Sequence, residues 1–284
     1  IFTIHKKRIR ELCQKMMAAG LHKKAEYTMV TRGDCVDDEL LTDLRSTNFT
    51  GLAIGVESAN EILMHHINKG ETVQDNINGI KLAKKYGFNI DIVYILGLPN
   101  EKREDRLAAL KMARDLDVSK ARFNNCTPYP GTLIYKIAQE ENNLKIIGDW
   151  DNFHPTGALT AKKPFDWPLP YYPKGANPEE LIMDVIQANM LYFLDPKRLW
   201  RLVRAAFNRE GTKWLVLPEK WWMNPRYIKG VCEVIWLNFN RLGMMLKWKL
   251  QGKLLTQLPK NLLKNKQVYP DAKAPSKNVG PARR

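Results

Sequence analysis

The run GLAIGVES, residues 51–58, places a carboxylate and a hydroxyl directly after an apolar stretch. Leu52 to Val56 has the composition of a buried strand, and Glu57 and Ser58 follow it at once. Burying a carboxylate that has no partner costs a large amount of free energy. Glu57 is therefore expected to pair with a cation, to reach water or to bind a ligand.

Polar or conformationally special residues also follow three other apolar segments. Arg32 follows the first of these segments, the sequence GLPNE (97–101) follows the second, and Asn124 ends the third. In parallel β/α folds, ligands bind at the carboxyl ends of the strands. Together these residues favour a binding site at one edge of a sheet.

Each strand end also has a local explanation that the sequence leaves open. Arg32 could pair with Asp34 across a loop, and Glu57 could cap the helix that follows it. The segment 97–101 could be an ordinary turn. Only their joint position on one face favours a site over these separate explanations.

The first half of the chain alternates between strand and helix patterns. Helices are expected after the capping residues Asp37 and Thr72, and another over Glu104 to Leu116. The predicted strands are Ala25 to Val30, Leu52 to Val56, Ile90 to Leu96 and Ala121 to Asn124. This alternation predicts an α/β fold with parallel βαβ units, and the apolar strands predict burial on both faces. Without a glycine-rich phosphate loop, a partial TIM-like barrel is favoured over an open sheet.

Beyond Leu144 the pattern changes to a mainly helical C-terminal extension. A helix should begin at Pro178, and two more are expected over Arg198 to Phe207 and Tyr227 to Leu250. The predicted divisions are a partial barrel at 1–144, an irregular connector rich in proline and aromatic residues at 145–177, a helical extension at 178–257 and a basic, disordered tail at 258–284.

The composition indicates a cytoplasmic protein whose positive charge, concentrated near the C-terminus, reflects either an acidic partner or simply a solvated tail. The chain has 284 residues, a net charge of +15 and 44% hydrophobic residues, and no apolar run is long enough to span a bilayer. The four cysteines are far apart and predict neither a disulfide framework nor a metal site. The positive charge is compatible with a peripheral position at the inner face of a membrane.

Three motifs together resemble the radical S-adenosylmethionine (SAM) enzymes. They are GLAIGVESANEILMHHINKG, DIVYILGLPNE and CTPYPGTLIY, and they are most similar to the subgroup that carries an N-terminal cobalamin-binding domain. The resemblance implies a partial β/α barrel that holds SAM and a [4Fe–4S] cluster, with an electron donor as the partner that reduces the cluster. Reductive cleavage of SAM would then start radical chemistry, including cobalamin-assisted methylation or rearrangement.

The resemblance also implies roles for individual residues. Glu57 and Ser58 would contact the methionine or ribose part of SAM, and Arg32 would bind the methionine carboxylate. Asn124 would lie beside the adenine. The full set of expected SAM-binding residues is Arg32, Gly55, Glu57, Ser58, Gly97, Leu98, Pro99 and Asn124.

The chain departs from the family pattern in two places. It lacks the CxxxCxxC loop that holds the cluster, so the first strand, that loop and any cobalamin domain are expected before Ile1. The chain as given is therefore expected to be an inactive C-terminal fragment. The usual G-x-P-G-E-T reads GLPNEK here, with Asn100 and Lys102 as replacements.

The C-terminal half is aromatic and basic, and it leaves the substrate open. A helical stripe of Val231, Val234, Ile235, Leu242, Met245 and Leu246 lies near Arg241, Lys247 and Lys249. This stripe could pack on the barrel as a cap, or it could lie at an anionic membrane surface. The second interpretation favours a lipid or membrane-associated substrate. A cluster-free binding module is an alternative, and nucleic-acid binding has no specific support.

Overall fold

The computed structural model describes residues 2–196, 198, 200 and 225–258. The predicted helix over Arg198 to Phe207 and the predicted tail therefore lie almost wholly outside the described residues. The strands are β1 (Tyr27–Thr31), β2 (Phe49–Glu57), β3 (Asn89–Leu96) and β4 (Lys120–Asn125). The helices are α1 (Lys6–Ala18), α2 (Asp38–Ser46), α3 (Glu61–His66), α4 (Val73–Lys85), α5 (Arg103–Leu116), α6 (Leu133–Glu140), α7 (Gly157–Thr160), α8 (Pro178–Phe193) and α9 (Pro225–Leu250).

The four strands form one parallel sheet in the order β1-β2-β3-β4. Each strand thus lies beside its neighbours in sequence. A doubly wound sheet reverses its strand order at a switch point, whereas the wall of a β/α barrel does not. The predicted α/β fold class, a partial TIM-like barrel with a helical extension, is confirmed.

Helices α2, α4 and α8 begin where the sequence predicts them, whereas α3, α6 and α7 have no counterpart among the predicted helices. Asp37 accepts a hydrogen bond from the Leu40 amide at 2.8 Å, and Thr72 and Asp75 form a reciprocal capping box at the start of α4. Pro178 is the first residue of α8. These local signals need no tertiary contact, which is why the sequence alone locates them.

One face of the sheet is buried and the other is at most partly covered, so the prediction of burial on both faces is wrong. Along β3, Ile92 and Tyr94 are buried, whereas Val93 and Ile95 between them are only partly covered. The same alternation runs through the other strands, except at the start of β2, where Gly51 and Leu52 are both buried. The exposed or partly covered residues of this face, which we call the open face, are Thr28, Val30, Ala53, Gly55, Glu57, Asp91, Val93, Ile95, Lys120, Arg122 and Asn124.

Helix α8 closes the outer edge of β4 with a side chain. The Asn189 amide accepts from the Phe123 backbone N–H at 3.2 Å and donates to the Phe123 carbonyl at 2.8 Å. Nearby, the Asn125 backbone N–H donates to the Pro155 carbonyl at 2.8 Å. These bonds satisfy strand groups that a neighbouring strand would otherwise take.

The residues of the predicted C-terminal stripe lie on two different sides of the long helix α9. Met245 faces the body of the protein and is buried, whereas Leu242 and Leu246 are exposed. Arg241 is buried as well, and it donates to the carbonyls of Leu159 and Ala161. The side chains of Val231, Val234 and Ile235 lie outside the described residues. In the described part of the chain, none of the helices has the length and apolarity needed to cross a bilayer.

The turn that carries Arg32 packs against α4 through two glycines. A Cβ added at Gly79 would lie 2.2 Å from the Gly33 carbonyl oxygen, and one added at Gly33 would lie 2.5 Å from the Asn76 Cα. Both contacts involve backbone atoms, which cannot move aside as a flexible side chain can. The position of this turn therefore depends on the absence of side chains at residues 33 and 79.

We predict that Gly79→Ala lowers the free energy of unfolding by about 2 kcal/mol, because overpacking outweighs the gain in helix propensity. The matched control is Gly243→Ala in α9, where an added Cβ meets no atom within 4 Å. That change should raise the free energy of unfolding by up to about 1 kcal/mol. Urea denaturation measures both values, and equal effects would contradict the close approach.

Candidate functional site

The end of β2 is distorted at the carboxylate that the sequence singles out. The pairing with β3 shifts register between Gly55 and Glu57, and Glu57 has a φ of 63°. A residue other than glycine rarely adopts this left-handed conformation, and doing so costs about 1–3 kcal/mol. Surrounding contacts must therefore hold Glu57 in place.

Lys69 supplies that contact. Its Nζ lies 3.0 Å from Glu57 Oε1 and 2.6 Å from Glu71 Oε1, and it also donates to the Gly55 carbonyl. A Cβ at Gly55 would lie 2.5 Å from Glu57 Oε1, so the glycine leaves room for the carboxylate. The Glu71 side chain is fully buried, whereas Glu57 keeps 19% of its side chain exposed. Glu57 is thus the carboxylate of this cluster that a ligand can reach.

Arg32 follows β1 and uses its guanidinium within the fold. Its Nε and Nη2 donate to the two oxygens of Asp34 at 2.9 and 2.7 Å. Nη1 donates to the Lys69 carbonyl at 2.8 Å and Nη2 to the Gly70 carbonyl at 3.1 Å. The hydrogen bonds to Asp34 raise the pKa of Arg32. The local pair that the sequence allows is therefore present, and a role in binding the methionine carboxylate stays a prediction.

Ser58 and Asn60 shape the turn that follows Glu57. The Ser58 hydroxyl accepts from the Asn60 amide at 3.1 Å, and the Asn60 side chain caps α3 by accepting from the Ile62 amide at 2.8 Å. Glu57 is therefore not the cap of α3, which removes one of its local explanations. Asn60 also donates to Asp105 at 2.8 Å, so this turn is joined to α5.

The segment GLPNE at the end of β3 is held against α8. Gly97 has a φ of 89°, and a Cβ there would lie 2.7 Å from a methyl group of Leu181. Leu98 is fully buried in a small apolar cluster with Cys126 and Tyr171. Packing alone accounts for Gly97 and Leu98. For these two residues and for Pro99, a contact with SAM stays a prediction.

A buried ion network fixes the same segment. Glu101 accepts from the Gly97 amide and from Arg106 Nε at 3.0 Å. Arg106 also donates to Asp184 of α8 at 3.1 Å, and Arg103 donates to that carboxylate at 2.9 Å. Burial raises the pKa of Glu101 to about 7, although the Arg106 charge and the Gly97 N–H oppose the shift.

Asn124 lies on the open face at the end of β4, opposite Ile95 of β3. Its Oδ1 is buried and has no hydrogen-bond partner among the described residues. A buried acceptor without a partner costs about 1–3 kcal/mol, so a donor from a ligand would be favourable there. Of the sequence-predicted site residues that the structure describes, Asn124 is the one with a buried polar atom that lacks a hydrogen-bond partner.

The described residues do not fit an iron–sulfur cluster. They contain no group of three His, Cys, Asp or Glu side chains that could hold a metal ion. Cys13 and Cys126 are buried, and burial raises the pKa of both thiols. For SAM the fit is better, because Glu57 and Asn124 both present acceptor oxygens near strand ends.

Sequence reasoning missed Lys69, Glu71 and the partners of Glu101. The sequence NKGE (68–71) holds a cation and an anion directly before the capping residue Thr72, and this was a readable signal. Arg106 and Asp184 are 78 residues apart, so no local pattern could connect them.

We predict that Glu101→Gln flattens the pH dependence of stability. The wild-type carboxyl stays protonated in the fold up to about pH 7, whereas it ionises near pH 4.5 when unfolded. The folded state therefore binds more protons between these values, and the wild-type free energy of unfolding should fall by about 3 kcal/mol as the pH rises from 5 to 8. Glu101→Gln should lack this fall.

The measurement is urea denaturation at each pH. The control is Glu179→Gln, which changes an exposed carboxylate in the first turn of α8 and should leave the wild-type profile in place. Parallel profiles for wild type and Glu101→Gln would show that Glu101 is already ionised in the fold at pH 5.

Comparisons with known proteins find relatives of this chain. An uncharacterized methyltransferase of Pyrococcus horikoshii is 32% identical over 210 residues, which is 74% of this chain and 42% of the relative. The anaerobic magnesium-protoporphyrin IX monomethyl ester cyclase of Cereibacter sphaeroides is 30% identical over 141 residues, 49% of this chain and 23% of the relative. This chain thus spans less than half the length of either relative.

A solved structure shares the fold. It is the radical SAM methyltransferase TsrM from Kitasatospora setae with cobalamin and a [4Fe–4S] cluster bound, and it matches with a TM-score of 0.50 and 16% identity. The match covers 68% of this chain and 41% of TsrM. The family model of the Radical SAM superfamily matches residues 2–113, the part that contains β1 to β3. Over residues 2–113, this chain is therefore similar to the Radical SAM superfamily.

Proposed function

We propose that the enzyme containing this chain cleaves SAM reductively to start radical chemistry, and that the strand ends of this chain bind SAM. The observation that carries the proposal is Glu57, which is held at a φ of 63° where β2 meets the open face. Backbone strain of this kind concentrates at functional sites. The match of residues 2–113 to the Radical SAM family model supports the same site.

Glu57 is the residue that we assign to SAM. Its carboxylate accepts hydrogen bonds, and the ribose of SAM offers two neighbouring hydroxyl donors. Lys69 keeps one carboxylate oxygen in place at 3.0 Å, and Glu71 shares the charge of that lysine. Because the orientation is fixed before a ligand arrives, less entropy is lost on binding.

The open face supplies the wall beside this site. In the proposal, the unused Oδ1 of Asn124 accepts from the adenine part of SAM, and Val93 and Ile95 exclude water from the same surface. Asp34 and the carbonyls of Lys69 and Gly70 take four of the five N–H donors of Arg32. Arg32 can therefore bind the methionine carboxylate with two donors only by exchanging one of these partners for it. These residues bind and orient SAM.

When bound, a [4Fe–4S] cluster supplied with an electron would provide the reductive power for cleavage. The described residues do not form its site, so its ligands are assigned to none of them. Methyl transfer is the first candidate reaction, because the relative that matches 74% of this chain is named a methyltransferase. Cobalamin assistance and a lipid or membrane-associated substrate belong to the proposal.

The alternative is a cluster-free barrel that only binds a ligand. It predicts that the complete protein takes up no iron or sulfide after anaerobic reconstitution. The enzyme proposal predicts uptake of both and formation of 5′-deoxyadenosine from SAM. Iron analysis with product chromatography separates the two.

We predict that Glu57→Gln in the complete, reconstituted protein raises the KM for SAM about tenfold or more, because it weakens a charge-assisted hydrogen bond. The thermal unfolding midpoint should change little, since Lys69 keeps Glu71 as its partner. Formation of 5′-deoxyadenosine at varied SAM concentration gives the KM.

The control is Glu140→Gln on α6, where the carboxylate is exposed and pairs loosely with Lys136 at 3.9 Å. It should leave the KM for SAM unchanged. A KM within twofold of the wild-type value for Glu57→Gln would remove Glu57 from the site.

A further inference from the structure

Helix α9 presents an apolar stripe to solvent along its outer side. The exposed fractions are 55% for Trp236, 75% for Phe239, 63% for Leu246 and 89% for Leu250. With Leu242, these residues recur every three or four positions and so lie on one side of the helix. We call these five residues the outer stripe.

The opposite side of α9 anchors the helix to the body of the protein. Arg241 donates to the Ala161 carbonyl at 2.5 Å, and the ring of Trp248 meets the ring of Phe165 edge-on with centroids 6.2 Å apart. Just beyond the helix, the Lys253 carbonyl accepts from Arg103 at 2.9 Å. The outer stripe therefore faces outward on a helix whose C-terminal half is fixed.

Cations flank the outer stripe on both sides. Successive helical residues turn by about 100°, so relative to Leu246 the side chain of Lys247 projects to one side and that of Lys249 to the other. Both lysines are exposed. The sequence from residue 241 to 284 contains eleven Lys and Arg and a single acidic residue, Asp271. The stripe is therefore apolar in its centre and positive at its borders.

We propose that α9 binds the surface of an anionic phospholipid bilayer, with the outer stripe among the acyl chains and Lys247 and Lys249 at the headgroups. This arrangement matches an interfacial amphipathic helix, in which apolar area and cationic borders both contribute to binding. Long lysine side chains can reach the headgroups from the flanks of a helix that lies flat.

The charges favour a bilayer over a second copy of the chain. The sequence of α9 contains five Lys and Arg and one acidic residue, Glu233. Two copies packed stripe to stripe, in either direction, would therefore bring an excess of positive charge together, and like charges oppose association. An anionic lipid surface instead gives each lysine a partner of opposite charge.

The test is co-sedimentation of the 284-residue chain with vesicles of phosphatidylcholine alone or mixed equally with phosphatidylglycerol. We expect binding to the mixed vesicles that weakens as salt is added. The double variant Phe239→Ser with Leu246→Ser should weaken this binding about 30-fold. A matched control is Leu133→Ser on α6, which changes a leucine that is 54% exposed and should bind as wild type does.

A second variant tests the borders without touching the apolar stripe. Lys247→Glu with Lys249→Glu should weaken binding to the mixed vesicles about 30-fold at low salt. The control Lys136→Glu on α6, where the lysine side chain is 74% exposed, should have little effect. Circular dichroism checks that every variant keeps the wild-type fold.

Three results would overturn the proposal. They are the absence of wild-type binding to the mixed vesicles, equally strong binding by the double stripe variant, and a wild-type dimer in light scattering that the stripe variant converts to a monomer without any lipid binding. The last result would assign the stripe to a second copy.

Discussion

The buried guanidinium of Arg106 is the interaction on which the arrangement of the strand ends depends. Only 2% of its side chain is exposed, and the two carboxylates that accept its hydrogen bonds, Glu101 and Asp184, come from the loop after β3 and from α8. Removing one partner of a buried ion pair leaves a charge without compensation, which typically costs about 3–5 kcal/mol. The loop 97–101, α5 and α8 are therefore fixed relative to one another, and so is the edge of the sheet where Gly97 lies.

The second constraint is the uneven covering of the sheet. Parallel sheets are ordinarily covered on both faces, because the crossover helices lie there. Here the helices cover one face, and the open face carries small, apolar and charged residues such as Gly55, Val93 and Arg122. In a β/α barrel such a face is the inner wall. The carboxylate of Glu57, at the carboxyl end of β2, is there well placed to meet a ligand.

The sequence predicts the local parts of this structure well. Capping signals at Asp37, Thr72 and Pro178 mark helix starts, and the apolar runs mark all four strands. Burial is harder to predict, because an apolar strand does not reveal which of its faces is covered. Contacts between segments far apart in sequence determine the ion network around Glu101. They also determine that Met245 of α9 is buried whereas Leu246 is exposed.

The pairing of Asn189 with Phe123 has a consequence for how this sheet can grow. Because a side-chain amide takes the N–H and C=O that β4 directs outward, and the Pro155 carbonyl takes the next N–H, no strand can be added at that edge without breaking these bonds. In the described part of the chain, β1 pairs with β2 alone. The sheet can therefore grow at one edge only while those bonds are intact. A further strand that lengthens this wall without breaking them joins it beside β1.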